Sequence, residues 1–190
     1  SDPESSNVGP RNWETFHVGE LIPWVDATFS TIAEFAGRAV SGFSMGGLGA
    51  LKYTAKYYGH FASVSCHSGP ADLRGTDGAA ITHWANLTSM VELGGGMVYG
   101  SPWDEARVSA DNPMEHIENY RGKRIFLVCG TDPVDQNEKH VLPTQRTFGG
   151  ALAAAGIPHE RYEDAGGHLV RPERLQQDID GIIAHLTKAG

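Results

Sequence analysis

The sequence predicts an α/β domain, a mostly parallel sheet with helices on both faces, built as one domain over residues 1–190. Three observations carry this reading. Short apolar runs that end in glycine, such as "KRIFLVCG" (123–130), have the length and content of strands buried on both sides. Between them lie stretches whose apolar residues recur every three or four positions, as amphipathic helices require. Strands and helices alternate along the chain, the order that crossover connections in a parallel sheet impose.

The elements follow in order. The opening "SDPESSNVGPRN" is polar and turn-rich and reads as an entry loop. Val18, Leu21, Ile22, Val25 and Phe29 share a helical face, which predicts a helix over 20–32 with Pro23 in its first turn, where the missing N–H costs nothing. "RAVSGF" (38–43) is a short buried strand. After Ser44, the residues Leu48, Leu51, Ala55 and Tyr58 fall on one face of a helix that stops at Gly59. "FASVSCHSG" (61–69) is the next strand.

From 74 to 122 the pattern weakens into glycines, prolines and scattered aromatics, with two short helices in an excursion over the top of the sheet. "KRIFLVCG" is the clearest strand, followed by an acidic loop and a helix over 143–155. "HERYED" (159–164) alternates as a short strand, Gly166, Gly167 and His168 form a loop, and Leu175, Ile179, Ile182, Ile183 and Leu186 mark a final helix. There is no internal repeat and no low-complexity tract.

Composition excludes several classes of function. The 190 residues are 40% hydrophobic and 20% charged, an ordinary globular balance. A formal net charge of -8, with no dense Lys/Arg cluster, would repel a phosphate backbone, so nucleic acid is not an expected partner. No apolar run approaches the roughly 18 to 20 residues that span a bilayer. Cys66 and Cys129 suit one disulfide or two buried thiols, and without a C-x-x-C or a Cys/His ligand set no zinc site is expected.

The chemistry concentrates at "AVSGFSMGGLGAL" (39–51), where Ser44 stands between glycines at the junction of a strand and a helix. A serine hydroxyl is a weak nucleophile unless it is lifted clear of its neighbours, beside a general base and near backbone N–H groups. Gly-x-Ser-x-Gly in a strand-to-helix turn supplies that setting, and the flanking glycines are expected because the turn leaves room for little beyond hydrogen. The bland alternative is a glycine-rich turn with an incidental polar residue.

A serine hydrolase of this layout also needs an acid and then a histidine further along the chain. His168 in "DAGGHLV" lies between the last strand and the last helix and is preferred over the other histidines. His17 reads as a helix-start residue and His67 as lining the site. For the acid, "CGTDPVDQNE" offers Asp132 and Asp135; either could reach His168 if the loop folds back, and Asp135 is preferred. Trp84, Met90, Met97, Tyr99 and Trp103 lie in the excursion that would roof a substrate, with Trp84 the chosen contact. Glycine-rich "LGGGMVYG" is a poor phosphate loop, since no strand precedes it and no Gly-Lys-Ser/Thr follows.

Several stretches together resemble the esterase D type of α/β-hydrolase, the group of S-formylglutathione hydrolases, feruloyl and other carboxylesterases, and secreted actinobacterial mycolyltransferases. The likeness rests on "ELIPW" before the elbow, "GFSMGG" at it, "CGT" after the long strand and "AAAGIPHERYEDAGGH" before the histidine. It implies Ser44 as nucleophile, His168 as base, a carboxylate after Cys129 resembling Asp132 or Asp135, and the Met45 N–H as one oxyanion donor. It implies no cofactor, and a secreted location.

Members of that group carry strands before the elbow, and a second oxyanion donor comes from a loop after an early strand. The opening loop here resembles the segment just before the "ELIPW" helix. The resemblance therefore implies the C-terminal two-thirds of the fold, and a companion polypeptide is expected to supply the N-terminal strands and pair with the bare sheet edge. Three readings follow: a serine carboxylesterase acting on a small-molecule, lipid or aryl ester; an acyltransferase using the same residues; and a non-catalytic fragment or binding module.

Overall fold

The structure, a computed structural model, describes residues 12–91 and 97–186. Its centre is a parallel sheet of four strands, β1 (Ala39–Phe43), β2 (Ser63–His67), β3 (Arg124–Gly130) and β4 (Glu160–Asp164), in spatial order 1-2-3-4. Register is regular across it, with Val40 opposite Val64, Val64 opposite Ile125, and Val128 opposite Tyr162.

Alternation along the strands gives the sheet two unlike faces. Val64, Cys66, Ile125 and Leu127 point into an apolar core with Leu51 of α2 (Met45–Lys56) and Phe148 and Leu152 of α5 (Glu138–Ala154). Leu51, Leu127, Phe148 and Leu152 have no solvent exposure, and each such side chain contributes ~1.5–3 kcal/mol by leaving water. The opposite face mixes Phe126 and Val128 with polar Ser65, His67 and Arg124, and α6 (Pro172–Leu186) covers it. There Asp178, wholly buried, accepts hydrogen bonds from Ser65 Oγ at 2.6 Å and Arg124 Nη1 at 2.7 Å and lies 2.9 Å from His67 Nε2. The apolar stripe of α6 faces outward instead: Leu175, Ile179 and Ile183 are all substantially exposed.

Other boundaries differ from the sequence reading. The first helix begins at Thr15, not near 20, winds as a π-helix to Leu21 and continues as α1 (Ile22–Thr28). A polar anchor extends it: Glu14 pairs with Lys52 Nζ at 2.6 Å and Lys56 Nζ at 2.7 Å, and His17 Nδ1 meets the Tyr53 hydroxyl at 3.0 Å. The excursion holds a 17-residue helix, α3 (Gly75–Val91), then α4 (Glu105–Asp111) and a 3₁₀ segment at Pro113–Tyr120. Helix α5 starts five residues before Pro143 and carries that proline inside. Among the described residues no helix is long and apolar enough to cross a membrane.

Candidate active site

Ser44 sits where β1 turns into α2, with φ 56° and ψ -122°, a conformation rarely adopted by residues with a side chain. Its N–H donates to His67 O at 2.8 Å, and its carbonyl accepts from Gly47 and Leu48, so the strained bend is held from both sides. The turn depends on Gly42, where a Cβ would collide with the Gly46 carbonyl. The second motif glycine differs from expectation: at Gly46 a Cβ would meet nothing within 4 Å. Gly47 is the tight position instead, facing Cys66 Sγ at 2.9 Å and Gly69 Cα at 3.0 Å from an added Cβ. The crowding comes from the first helical turn folding back over β1 and against the loop after β2.

His168 reaches over the sheet end from the glycine loop, and its Nε2 lies 2.8 Å from Ser44 Oγ. Phe43 flanks the imidazole with ring centroids 4.9 Å apart. An imidazole at this distance can accept the hydroxyl proton as the oxygen attacks.

The carboxylate behind the imidazole is Glu138, which the sequence reading did not select. Its Oε1 lies 3.4 Å from His168 Nδ1, and its side chain has no exposure. Neither Glu138 oxygen nor His168 Nδ1 has a hydrogen-bond partner among the described residues. A buried carboxylate with no donor is costly, and a proton on the facing imidazole nitrogen is the one group placed to offset it.

The two acids chosen from sequence lie elsewhere. Asp135 Oδ1 accepts the N–H groups of Asn137 and Glu138 at 2.8 and 2.9 Å, capping the first turn of α5, and Oδ2 accepts the backbone N–H of His168 at 3.0 Å. These backbone bonds, from Glu138, His168 and Asn137, hold its carboxyl below the usual aspartate range. Asp132 Oδ1 accepts the N–H of Val134 at 3.0 Å, an ordinary turn contact. Because Asp135 caps the helix, α5 begins early and turns Glu138 inward; D-x-x-E at 135–138 was the available signal, a helix start whose fourth residue is free to face the core.

A cleft of about 470 Å³ opens at Ser44 and His168 between α3 and α5. Its walls are mainly apolar, formed by Leu48, Pro70, Ile81, Trp84 and Val141, with Met45 at the mouth. Trp84 lines the cleft. Tyr99 and Trp103 do not; they pack with Leu73 and Val108 in a separate small core. The Met90 side chain lies outside the described residues. His67 does not line it either, because the pleat turns its ring to the other face of the sheet, onto Asp178. The Met45 N–H opens α2, where the first amides have no partner within the helix and the helix dipole favours negative charge.

Cys66 and Cys129 are separate buried thiols, each pushed up to about 12 by burial. They form no disulfide with each other.

An elbow serine after a parallel strand, a histidine on the loop after the last strand and an apolar cleft beside them define an α/β-hydrolase fold. Solved structures agree on that fold: a ferulic acid esterase (20% identity, TM-score 0.63, 94% of this chain and 61% of that one) and the Mycobacterium tuberculosis protein MPT51 (18%, 0.76, 93% and 69%). An S-formylglutathione hydrolase from Agrobacterium tumefaciens is similar at 18% identity and TM-score 0.65, over 93% of this chain and 57% of that one. Residues 1–183 match the esterase family described as "Putative esterase", and the chain belongs to that family. Esterase Rv1288 of Mycobacterium tuberculosis is 61% identical over 197 residues, a match that takes in 100% of this chain and 43% of that protein. The chain thus spans less than half the length of this relative.

Proposed function

We propose that the chain carries a serine carboxylesterase site: Ser44 as nucleophile, His168 as general base and acid, and Glu138 as the carboxylate that orients and stabilises the imidazolium. The observation that supports it most is the line Ser44 Oγ, His168 Nε2, His168 Nδ1, Glu138 Oε1, with separations of 2.8 and 3.4 Å at the mouth of an apolar cleft. His168 Nε2 takes the hydroxyl proton while Oγ bonds to the ester carbonyl carbon. The resulting oxyanion is received by the Met45 N–H. Collapse expels the alcohol, which leaves with the proton held by His168, and water repeats the sequence to release the acid and free Ser44.

Membership of the esterase family fits this chemistry, and the apolar walls with Trp84 suit an apolar or aryl acyl group. Ser44→Ala should lower hydrolysis of a p-nitrophenyl ester by about 10³-fold or more and abolish labelling by a fluorophosphonate probe. Parent-level turnover in that variant would exclude the reading. Adding an alcohol acceptor and analysing products separates hydrolysis from acyl transfer.

We also propose that the outer edge of β1 takes a further strand from a companion segment, on this polypeptide or another. Among the described residues β1 pairs on one side alone, with β2. This chain covers 61%, 69% and 57% of three solved chains of the same fold, which leaves each of them a further portion outside the match. Amide exchange would test this: β1 protection equal to that of β3 in the intact protein is expected, and a freely exchanging outer edge would count against it.

A further inference from the structure

We propose that Arg171 is a positioning residue: its guanidinium fixes the backbone on both sides of His168 and thereby the approach of the imidazole to Ser44. This inference rests on the esterase reading above. Nη2 donates to the Gly167 carbonyl at 2.9 Å and Nη1 to the Leu169 carbonyl at 2.9 Å, so one planar fork holds the residues immediately before and after His168. Nη1 also donates to Ser68 Oγ at 3.3 Å, on the loop after β2. That loop packs under the elbow, since an added Cβ at Gly69 would come within 2.7 Å of the Ser44 carbonyl. One side chain therefore ties the histidine loop to the wall that supports the nucleophile.

The burial of Arg171 is otherwise unexplained. It is 7% exposed, and a guanidinium is rarely so buried without a partner of opposite charge. The nearest carboxylate, Asp164, stands 3.8 Å from Nε and is already held by Arg174 through contacts of 2.8 Å. Arg171 thus makes one long ion pair to Asp164 and spends its close contacts on carbonyls. The end of β3 makes room for it: a Cβ at Gly130 would lie 2.5 Å from Nη2. On the other side Asp135 Oδ2 accepts the His168 N–H, so the peptide units before His168 and after Leu169, 167–168 and 169–170, are gripped by one cation and one anion. The glycine loop over 165–171, which has no regular structure, gains a fixed geometry in this way.

The test compares Arg171→Met and Arg171→Lys with the parent in the intact protein, using p-nitrophenyl butyrate hydrolysis, the rate of fluorophosphonate labelling and amide exchange across residues 165–170. For Arg171→Met the expected result is kcat lower by about 10- to 100-fold with KM within about twofold, because a misplaced base slows the chemistry without emptying the cleft. Labelling should slow in parallel, exchange in the loop should rise about tenfold while β3 is unchanged, and millimolar methylguanidinium should restore part of the activity. Arg171→Lys should stay nearer to Met than to the parent, since an ammonium cannot span both carbonyls; if the Met variant does not fold, the Lys variant is judged by the same split. Parent kcat and loop exchange in a folded variant would overturn the inference. A parent inert toward ester and probe would defeat the esterase reading instead, and loop exchange would then decide the role of Arg171 alone.

Discussion

The Glu138 carboxylate faces His168 Nδ1 at 3.4 Å from a position with no solvent exposure, while Asp135, one turn earlier, holds the His168 backbone. The two acids face different parts of a single histidine, one the ring and the other the main chain. The difference has a geometric origin. Asp135 lies outside α5, where its short side chain reaches backbone amides, and Glu138 lies inside the first turn, aimed at the sheet end.

Glu138→Gln should lower kcat by about 10²- to 10⁴-fold with little change in KM, since the amide favours the wrong tautomer and leaves the imidazolium uncompensated. Asp135→Asn keeps an acceptor for the cap and should lose less than about tenfold. Asp132→Asn should match the parent. Steady-state kinetics on the three variants settles the assignment, and a parent-like Glu138→Gln would return the acid role to the loop.

Ser44→Gly should be inactive and yet more stable. The serine is held at φ 56°, ψ -122°, and glycine relieves such a conformation at a gain of ~1 kcal/mol. A urea midpoint above that of the parent is expected; an unchanged or lower one would mean that the bend is not strained.

Gly42→Ala and Gly46→Ala should behave in opposite ways although both belong to one motif. The first drives a methyl into the Gly46 carbonyl and should cost ~3 kcal/mol or more, at the upper end of overpacking. The second points into open space on an exposed helical turn and should gain ~0.5–1 kcal/mol from helix propensity. Thermal melts of the pair provide the comparison.

Asp178 should contribute to the acid limb of stability. Burial alone would raise its carboxyl, but hydrogen bonds from His67, Ser65 and Arg124 outweigh that and hold it below the usual range. A carboxyl depressed on folding contributes stability that is present above its unfolded value of about 3.9 and is lost as the pH falls through the folded value. Asp178→Asn should cost ~3 kcal/mol at neutral pH, by leaving Arg124 without its buried partner, and should flatten the loss below pH ~4. Equal acid limbs in the two proteins would rule this out.

Both thiols should resist Ellman's reagent at pH 8 in the folded protein, since burial leaves almost no thiolate, and both should react once the chain is unfolded. A rapid native equivalent would show that one of them is accessible.

Much of this was legible in the residues. Apolar runs closed by glycine located β1 to β3, and chain order with glycine punctuation singled out Ser44 and His168, because a sharp strand-to-helix bend and a loop over the sheet end leave local marks. Period counting failed where polar groups set the boundary: Glu14 extends the first helix through Lys52 and Lys56, and the Asp135 cap starts α5 ahead of Pro143. It also failed on α6, which turns Asp178 inward because Ser65, His67 and Arg124 lie on the sheet face beneath it.

The sequence by itself determined the alternating α/β order, the elbow and the histidine loop, since each follows from backbone preferences acting over a few neighbouring residues. The tertiary structure alone decided which carboxylate faces the imidazole, which glycine is indispensable and why an arginine is buried at 171. Those depend on which side of a helix or strand a residue turns when elements distant in the chain are brought together, and each step along a helix turns the side chain by about 100°, so neighbouring positions face different surroundings.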